Sequence, residues 1–310
     1  MRNACKLVRP DVTVLMAVCD GAAFLGAQLA SIAAQRGVTW RLIASDDGST
    51  DASPAILRQF AGGADVTLHQ GPRRGHAAHF LALLAGLGPD PGIVALADQD
   101  DLWFTDKLAR GVAALRGVDG PALYCAATII TDQHLRPRGL SPAHPRRPDF
   151  RNALVQNIAP GNTIMLNAAA ARLARDCAPE AGTIIAHDWW LYQVITGVGG
   201  AVICDPEPVL YYRQHGRNAV GANRGIMAKG HRLGQVLRGR YAQWNATNRA
   251  ALAASAHRFT PQARAALAEF TNLADPNLPT RLRALRRLAP QRQTATGTAA
   301  LWLATAMGWV

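Results

Sequence analysis

The sequence has few cysteines and lacks the glycine-rich motifs of several common nucleotide and hydrolase sites. Its five cysteines are odd in number, and no two are spaced as C-x-x-C, which argues against a zinc site or a redox motif. We interpret them as reduced thiols of a cytoplasmic protein. No G-x-G-x-x-G follows the first predicted strand, and neither a Walker loop nor a G-x-S-x-G elbow occurs. Ordinary dinucleotide, phosphate-loop NTPase and α/β-hydrolase chemistry are therefore disfavoured.

Both ends of the sequence lack the pattern of a membrane-targeting or membrane-spanning segment. Residues 1–11 carry charges but no apolar stretch, so they do not predict a signal peptide. The apolar segment at the other end, Ala299–Val310, is 12 residues long. About 20 apolar residues are needed to cross a bilayer. We therefore expect no spanning helix in this segment.

The net charge of +12 is concentrated towards one end of the chain. Residues 222–310 contain 13 lysines and arginines but only Glu269 and Asp275 as acidic residues, whereas residues 1–221 are almost neutral. A chain of 310 residues is long enough for one α/β domain of roughly 200–250 residues and an appendage. We predict a main domain over residues 1–221 and a basic helical extension over residues 222–310.

The first 130 residues alternate apolar runs typical of strands with amphipathic segments typical of helices. A fourth predicted strand, Ile93–Ala97, ends directly in an acidic cluster. The three earlier strand and helix pairs are Val12–Val18 with Ala22–Gln35, Trp40–Ser45 with Ala52–Phe60, and Val66–His69 with Ala77–Leu87. This order predicts right-handed βαβ units in a mostly parallel, doubly wound sheet. Ligands of such sheets bind at the carboxyl ends of the strands.

The pattern changes after a fifth strand, Leu123–Thr128. The proline-rich and basic segment Arg136–Pro148 predicts an exposed loop. The later predictions are a helix at Phe150–Gln156, a turn at Pro160–Asn162, strands at Thr163–Asn167, Ala201–Cys204 and Val209–Arg213, a helix that begins at His187, and a helical tail from Ala222 that includes Leu233, Val236, Leu237, Tyr241 and Trp244. Within that tail, Thr260 and Pro261 are a predicted N-cap and first helical residue.

The cluster Asp98-Gln99-Asp100-Asp101 is the strongest candidate site. Three carboxylates within four residues repel each other at the end of a buried strand, and a cation would offset that cost. Mg²⁺ and Mn²⁺ take one or two carboxylates together with phosphate oxygens of a substrate. The D-x-D spacing of Asp98 and Asp100 suits this geometry. The alternative is a solvated acidic turn before the helix at Asp106.

Three further polar motifs each allow two interpretations. Asp46-Asp47-Gly48-Ser49-Thr50-Asp51 fits either a strand-to-helix turn with helix caps or a carboxylate that accepts from a pyrimidine base. Asp188 is either the N-cap of its helix or a general base at the edge of a donor pocket. His215, after the last strand, is either a structural histidine or a ligand.

Taken together, the motifs resemble those of the family-2 glycosyltransferases, with the bacterial rhamnosyltransferase-like group as the nearest likeness. The motifs are VTVLMAVCDGAAFLGAQLASI, LIASDDGSTD, ALADQDDLWFTDKL, APGNTIMLN, HDWWLYQV and VLYYRQHGRNAVG, within residues 11–221. The resemblance implies a GT-A fold. A Rossmann-like, nucleotide-binding half at about residues 11–130 and an acceptor-binding half at residues 131–221 would share one sheet, followed by the helical extension.

The resemblance also implies roles for individual residues. Asp188 corresponds to the catalytic base, and Asp100, with Asp98 and His215, corresponds to a site for Mg²⁺ or Mn²⁺ on the donor diphosphate. The positions implied to contact the donor nucleotide are Ala17, Cys19, Asp47, Arg73 and Asp98. The positions implied to contact the acceptor or the sugar are Gly161, Asn162, Trp189 and Trp103. Arg73, Arg74 or Arg213 could also offset charge on the diphosphate.

The implied activity is inverting, metal-dependent transfer of a sugar from a nucleotide-diphosphate donor to a glycan or lipid-linked acceptor, in bacterial cell-surface polysaccharide synthesis. Rhamnose from a dTDP donor is the first expectation, and UDP-sugars are used by related families. Cys19-Asp20 replaces the usual Tyr-Asn of the family, which leaves the identity of the nucleotide base open. The alternatives are a nucleotidyltransferase or a catalytically inactive glycan-binding protein.

The basic tail has two interpretations as well. The segment Arg281–Leu288 places leucines among four arginines, a pattern that attracts anionic lipid head groups. This would hold the protein at the inner face of the cytoplasmic membrane. The alternative is a helical cap that packs on the catalytic domain with a solvated basic face. Nucleic-acid binding is not expected, because no aromatic and basic platform is present.

Overall fold

A computed structural model describes residues 11–216 and 240–310 of the chain. The predictions for residues 1–10, for the segment from Ala222 to Leu237, and for the last residues of the 209–221 motif lie outside the described residues. Every element given below belongs to the described ranges.

The first half of the chain is a parallel sheet with helices between its strands. Val12–Val18 is completely buried, as expected for a β-branched strand that is covered on both faces. The elements in this half are β1 (Val12–Val18), α1 (Ala22–Ala33), β2 (Trp40–Asp46), α2 (Ser53–Ala61), β3 (Val66–Gln70), α3 (His76–Ala85) and β4 (Ile93–Ala97). Strand β1 pairs in parallel with both β2 and β4, and β2 pairs in parallel with β3. The predicted βαβ arrangement is therefore confirmed here.

The second half extends the same sheet with mixed strand directions. Its elements are β5 (Leu102–Trp103), α4 (Lys107–Leu115), β6 (Ala122–Thr131), β7 (Pro137–Leu140), α5 (Phe150–Val155), β8 (Met165–Leu166), α6 (Ala168–Cys177), α7 (His187–Gly197) and β9 (Ala201–Arg213). The described strands form one sheet in the order β3-β2-β1-β4-β8-β6-β9-β5, with β7 on β6. Strand β8 is antiparallel to both β4 and β6, whereas β6 and β9 are parallel. The sheet is thus parallel in its first half and mixed in its second.

Three local predictions in this half are corrected. Part of the predicted loop, Pro137–Leu140, is a short edge strand that pairs with β6. Only its first residue is a proline, so the other three keep the backbone N–H groups that pairing needs. The predicted strand at Thr163–Asn167 shortens to β8 after a 3₁₀ turn at Gly161–Thr163. The two strands expected over residues 201–213 are one strand, β9, whose pairing with β6 shifts register around its prolines.

The helices after residue 240 pack on the acceptor half. They are α8 (Arg240–Ser255), α9 (Pro261–Asn272), α10 (Leu278–Leu288) and α11 (Ala295–Ala306). Leu252, Phe270 and Leu285 belong to the same hydrophobic core as Leu191 of α7. The predicted N-cap is confirmed, since the Thr260 side chain accepts from the Ala263 N–H. The described part of the tail therefore packs on the acceptor half, as the helical-cap interpretation expects.

Arg281 joins the last two helices. Its guanidinium donates to the carbonyl oxygens of Thr305 (3.0 Å) and Ala306 (2.9 Å) at the end of α11. A cation at this position satisfies carbonyl groups that have no partner within the helix. Of the four arginines in the predicted lipid-binding segment, this one is thus engaged within the protein.

None of the helices in the described ranges is both long and apolar enough to cross a membrane.

Candidate functional site

The two acidic motifs lie side by side at the carboxyl ends of neighbouring strands. The register pairs Val18 with Asp46 and Met16 with Ala97, so the chain segments that follow β1, β2 and β4 leave the sheet at the same edge. This is the edge at which open α/β sheets bind ligands. The site is built from this edge outward.

Gln99 fixes the acidic cluster to the end of β1. Its side-chain amide accepts from the Cys19 N–H (2.8 Å) and donates to the Cys19 carbonyl oxygen (2.9 Å). Gly21 lies against the same amide, and a Cβ at residue 21 would collide with the Gln99 side chain. The cluster and the exposed Cys19 segment are therefore held as one unit.

The second motif forms a turn closed by its own carboxylates. Asp46 accepts from the N–H groups of Gly48 and Ser49, and Asp51 accepts from the N–H groups of Ala22 and Ser53 at the starts of α1 and α2. Asp51 thus accepts from the first N–H group of each helix, although Gly21 and Ala52 are the N-cap residues.

Asp47 points instead towards the loop after β3. Its carboxylate accepts from the Arg73 N–H at 2.6 Å. Arg73 has a left-handed backbone (φ 55°), and its side chain crosses Gly48, where a Cβ would come within 2.6 Å of the guanidinium. Two residues predicted at the nucleotide site, Asp47 and Arg73, are thus neighbours.

Asp100 and His215 are in direct contact. His215 Nε2 lies 2.7 Å from the Asp100 carboxylate, and both side chains are largely buried. Burial and the nearby Asp98 carboxylate raise the pKa of Asp100, while its bond to His215 opposes that shift. A carboxylate whose ionised form is costly is stabilised by an added cation. The two side chains predicted as metal ligands are therefore placed together.

Asp101 is the structural member of the cluster. It is fully buried and accepts from the Asn162 amide (2.7 Å) and the Arg213 N–H (3.3 Å). Its pKa is raised well above the ordinary value, first by burial and then by Asp98 and Asp100. Asp101 does not cap the next helix, because Asp106 occupies the N-cap position of α4.

Lys107 lies beneath the cluster, fully buried. Its ammonium group is 3.5 Å from the centre of the Trp103 ring and has no hydrogen-bond partner in the described part of the chain. Burial lowers the pKa of Lys107 to about 7, although Asp101 and Asp98 favour its charged form. The acidic cluster therefore has a buried basic group on its inner side.

Asp98 contacts a histidine that sequence reasoning did not single out. Its carboxylate lies 3.3 Å from His76 Nε2, at the start of α3. His76 in turn contacts the ring of His187, which precedes Asp188. The D-x-D carboxylates thus have separate partners, His76 for Asp98 and His215 for Asp100.

Asp188 stands in the first turn of α7, and Ala186 is the N-cap residue of that helix, so the N-cap interpretation is wrong. Its carboxylate accepts from the Trp189 N–H (2.7 Å) and from the Asn157 side chain. Burial is the largest cause that raises the pKa of Asp188 to about 6. A carboxylate with such a pKa is ionised yet basic near neutral pH, as a general base requires.

Four predicted contact residues are corrected by their burial. Trp103 and Trp189 are core residues, and the Trp189 indole donates to the Ala153 carbonyl oxygen (2.6 Å), so neither ring is free to stack on a sugar. Asn162 is buried and holds Asp101 rather than facing an acceptor. Ala17 contributes its side chain to the core.

Arg213 and Gly161 also act within the protein. The Arg213 guanidinium donates to the backbone oxygens of Asp100 (2.8 Å) and Gln133 (2.6 Å), so it braces the cluster instead of lying free for a diphosphate. A Cβ on Gly161 would come within 2.6 Å of His187 Nε2. The glycine therefore allows the turn to approach α7.

Sequence reasoning missed the residues that act through distant contacts. Gln99 stood inside the acidic motif but had no assigned role, and its partner Cys19 lies 80 residues earlier. Lys107 and Asn157 gave no signal beyond their residue types. His76 was hidden beside an apolar helix pattern, and its only signal in the sequence is the pair Gly75-His76 directly before the predicted helix Ala77–Leu87.

Within the described residues, no group of three or more His, Cys, Asp or Glu side chains is arranged to hold a metal ion alone. Asp100, His215 and the nearby Asp98 nevertheless fit a Mg²⁺ or Mn²⁺ ion of the kind that takes few protein ligands, because substrate phosphate and water complete its shell. Asp100 and His215 are joined here by a 2.7 Å hydrogen bond, which a bound ion would replace.

The family model for glycosyl transferase family 2 matches residues 13–174, just over half of the chain. A curated relative is the dTDP-rhamnosyl transferase RfbG of Shigella flexneri. It is 26% identical over 230 residues, which cover 71% of this chain and 78% of the relative.

The fold is similar to that of solved structures of S. aureus TarS. The complex of TarS 1-349 with UDP-GlcNAc superposes with a TM-score of 0.58 at 14% identity, and covers 94% of this chain and 83% of TarS 1-349. The complex of the same protein with UDP gives a TM-score of 0.55 at 13% identity over 96% and 88% of the two chains. At this identity the likeness concerns the fold, which is GT-A.

The buried Lys107 gives a prediction about stability. Its pKa is about 7 in the folded protein and 10.5 in an ordinary environment. Between these values the folded state binds fewer protons than the unfolded state, so the free energy of unfolding rises with pH, by at most about 1.4 kcal/mol per pH unit. We expect Lys107→Met to remove this rise. Denaturant unfolding of both proteins between pH 7 and 9, without added metal, measures it. Equal slopes for the two proteins would contradict the burial argument.

Proposed function

The chain belongs to glycosyl transferase family 2 and is a glycosyltransferase, and from this premise we propose that it is metal-dependent and inverts the configuration of the transferred sugar. The observation that carries the proposal is that the acidic cluster and Asp188 meet around His76. The Asp98 carboxylate lies 3.3 Å from His76 Nε2, and the His76 ring contacts that of His187, the residue before Asp188, whose pKa is raised by burial. His76 interacts electrostatically with Asp98, Asp188 and Asp100.

The acidic cluster is the proposed site for the donor diphosphate. Asp100 and His215 would bind Mg²⁺ or Mn²⁺, with Asp98 beside them. Such a cation neutralises charge that builds up on a departing diphosphate. Asp47 and Arg73, at the adjacent turn, are proposed to face the nucleotide, together with the exposed Cys19 segment.

Asp188 is the proposed catalytic base. Its carboxylate takes the proton from the acceptor hydroxyl while that oxygen attacks the anomeric carbon. Asn157 and the Trp189 N–H hold the carboxylate in place. Because attack comes from the face opposite the leaving diphosphate, a single displacement inverts the anomeric configuration.

The donor is proposed to be dTDP-rhamnose. The support is the relative RfbG, a dTDP-rhamnosyl transferase, which matches over 71% of this chain. A UDP-sugar is the second candidate. Cys19 stands where the family usually has a tyrosine, so this position does not identify the nucleotide base. The acceptor is proposed to be a glycan or a lipid-linked glycan in bacterial surface polysaccharide synthesis.

Two other functions are less well supported. A nucleotidyltransferase would share the nucleotide fold and the metal but has no use for Asp188 with its basic carboxylate. A catalytically inactive glycan-binding protein has no need to keep Asp98 and Asp100, whose burial is costly. Neither alternative accounts for both the acidic cluster and Asp188.

We also place the protein at the cytoplasmic face of a membrane, with residues 1–221 as the catalytic domain and residues 222–310 as its attachment. Five of the seven large apolar side chains exposed in the described residues lie on α10, on α11 or directly after α11: Leu278, Leu282, Trp302, Leu303 and Met307. We call these five the apolar patch.

The surroundings of the apolar patch favour an anionic bilayer as its partner. Arg281 holds the end of α11 against α10, which places both helices on one surface. Arg283, Arg286 and Arg287 are exposed on α10. A second copy of this basic region would be repelled, whereas anionic lipid head groups would be attracted, at about 1 kcal/mol per basic residue near the surface.

The base assignment predicts a pH profile. Asp188 must be ionised to accept a proton, so transfer should rise with pH up to about 6 and level off above it. Asp188→Asn should lose about 10²–10⁴ in rate. The assay measures metal-dependent release of dTDP from dTDP-rhamnose with a glycan acceptor. We expect the variant to keep its donor affinity and fold. A fully active variant would exclude Asp188 as base, and release of pyrophosphate would favour the nucleotidyltransferase.

The membrane proposal predicts the effect of two exposed side chains. Leu303 and Met307 are 62% and 50% exposed, and the double variant Leu303→Ser and Met307→Ser should lose most flotation with vesicles of phosphatidylglycerol and phosphatidylcholine. Leu140→Ser is the matched control, since Leu140 is 54% exposed on β7. Flotation of the control should equal that of the unchanged protein and fall with salt. Unchanged flotation of the double variant would contradict the proposal.

A further inference from the structure

His76 has a position that neither the acidic motifs nor the base assignment explains. It is the first residue of α3, directly after Gly75, whose φ of 86° turns the chain into the helix. Its Nε2 lies 3.3 Å from the Asp98 carboxylate, and its side chain is 44% exposed. A carboxylate partner fixes the ring orientation and engages Nε2. The other nitrogen, Nδ1, is the one left for a ligand.

His76 belongs to a group of three rings between the acidic cluster and the start of α7. Its centroid lies 5.1 Å from the rings of both Phe80 and His187, and Phe80 stacks on His187 at 3.9 Å. Phe80 and His187 are buried. His76 is therefore the exposed member of the group, supported from behind by the other two rings.

His187 adds a second observation. It is almost fully buried, yet neither of its ring nitrogens has a hydrogen-bond partner in the described part of the chain. Buried polar atoms without a protein partner are rare and call for an explanation such as a ligand or water. Here the unpartnered nitrogens lie next to Asp188 in sequence and next to His76 in space. His187 is therefore held by packing, behind the His76 ring and against the Gly161 turn.

The proposed reaction defines what must lie in this region. The leaving diphosphate oxygen stands at the side of Asp98 and Asp100, and the attacking hydroxyl stands at Asp188. The sugar that is transferred must lie between them, because an in-line displacement aligns both oxygens with the anomeric carbon. His76 lies 3.3 Å from Asp98, and its ring contacts that of His187, the residue before Asp188, so it borders the same space.

We propose that His76 is a donor-sugar contact, with Asp98 orienting its ring and its second ring nitrogen forming a hydrogen bond with a sugar hydroxyl. The inference rests on the proposed function and adds the group that reads the sugar. It separates sugar recognition at His76 from nucleotide recognition at Asp47 and Arg73. A site that bonds a hydroxyl discriminates against sugars that lack one there.

The experiment compares two ligands on the full chain. Binding of dTDP-rhamnose and of dTDP, each with Mn²⁺, is measured by calorimetry for the unchanged protein and for His76→Ala. A hydrogen bond to a neutral group contributes about 1 kcal/mol, so we expect dTDP-rhamnose to bind about fivefold to tenfold more weakly. Binding of dTDP should not change. His76→Gln, which keeps a hydrogen-bonding side chain, should restore part of the loss.

The controls separate a sugar contact from other roles. His69→Ala, an exposed histidine on β3, should bind both ligands as the unchanged protein does. Equal weakening of dTDP and dTDP-rhamnose by His76→Ala would overturn the proposal, since it would place His76 at the diphosphate or in a purely structural role. No weakening of either ligand would also overturn it. If the unchanged protein binds neither dTDP-rhamnose nor UDP-GlcNAc, the proposed function itself fails, and the contact fails with it.

Discussion

The structure depends on holding three carboxylates at the end of one buried strand. Asp98, Asp100 and Asp101 follow β4, and like charges at such distances are unfavourable unless other groups offset them. Each of the three carboxylates is stabilised by different partners. Asp101 is buried on Asn162 and the Arg213 backbone, Asp100 meets His215, and Asp98 meets His76. Of the two D-x-D carboxylates, Asp98 has a lowered pKa and Asp100 a raised one, so Asp100 is where a divalent cation would relieve the cost of ionisation.

Much of the surrounding structure serves to fix that cluster. Gln99 ties it to the end of β1, Arg213 braces its backbone from β9, and Lys107 lies beneath it in the core. These contacts come from elements far apart in the chain, which the mixed sheet brings to one edge. The same sheet continues into the acceptor half, where α7 presents Asp188. The helices after residue 240 share the core of that half. The described part of the basic tail therefore belongs to the same packed unit as α7, which carries Asp188.

The sequence predicted the elements well where the physical signal is local. Apolar runs gave β1 and β4 with their correct ends, and Thr260 gave a helix start. The pairs Asp47 with Arg73 and Asp100 with His215 were expected near one another and are. Trp103, Trp189 and Asn162 were assigned to ligand contact but are buried, because an aromatic or amide beside a motif has the same pattern whether it faces the cleft or the core. His76 and Gln99 depend on contacts between distant strands, which no local pattern carries.

The central claim is that the cluster binds the donor through a divalent cation, and one measurement tests it most directly. Calorimetric titration of dTDP-rhamnose is carried out with and without Mn²⁺ on the unchanged protein and on Asp100→Ala. The account predicts tight binding only for the unchanged protein with Mn²⁺, and loss of the Mn²⁺ effect in the variant while its fold is retained. An Asp100→Ala protein whose donor binding still strengthens with Mn²⁺ to the same degree would contradict it.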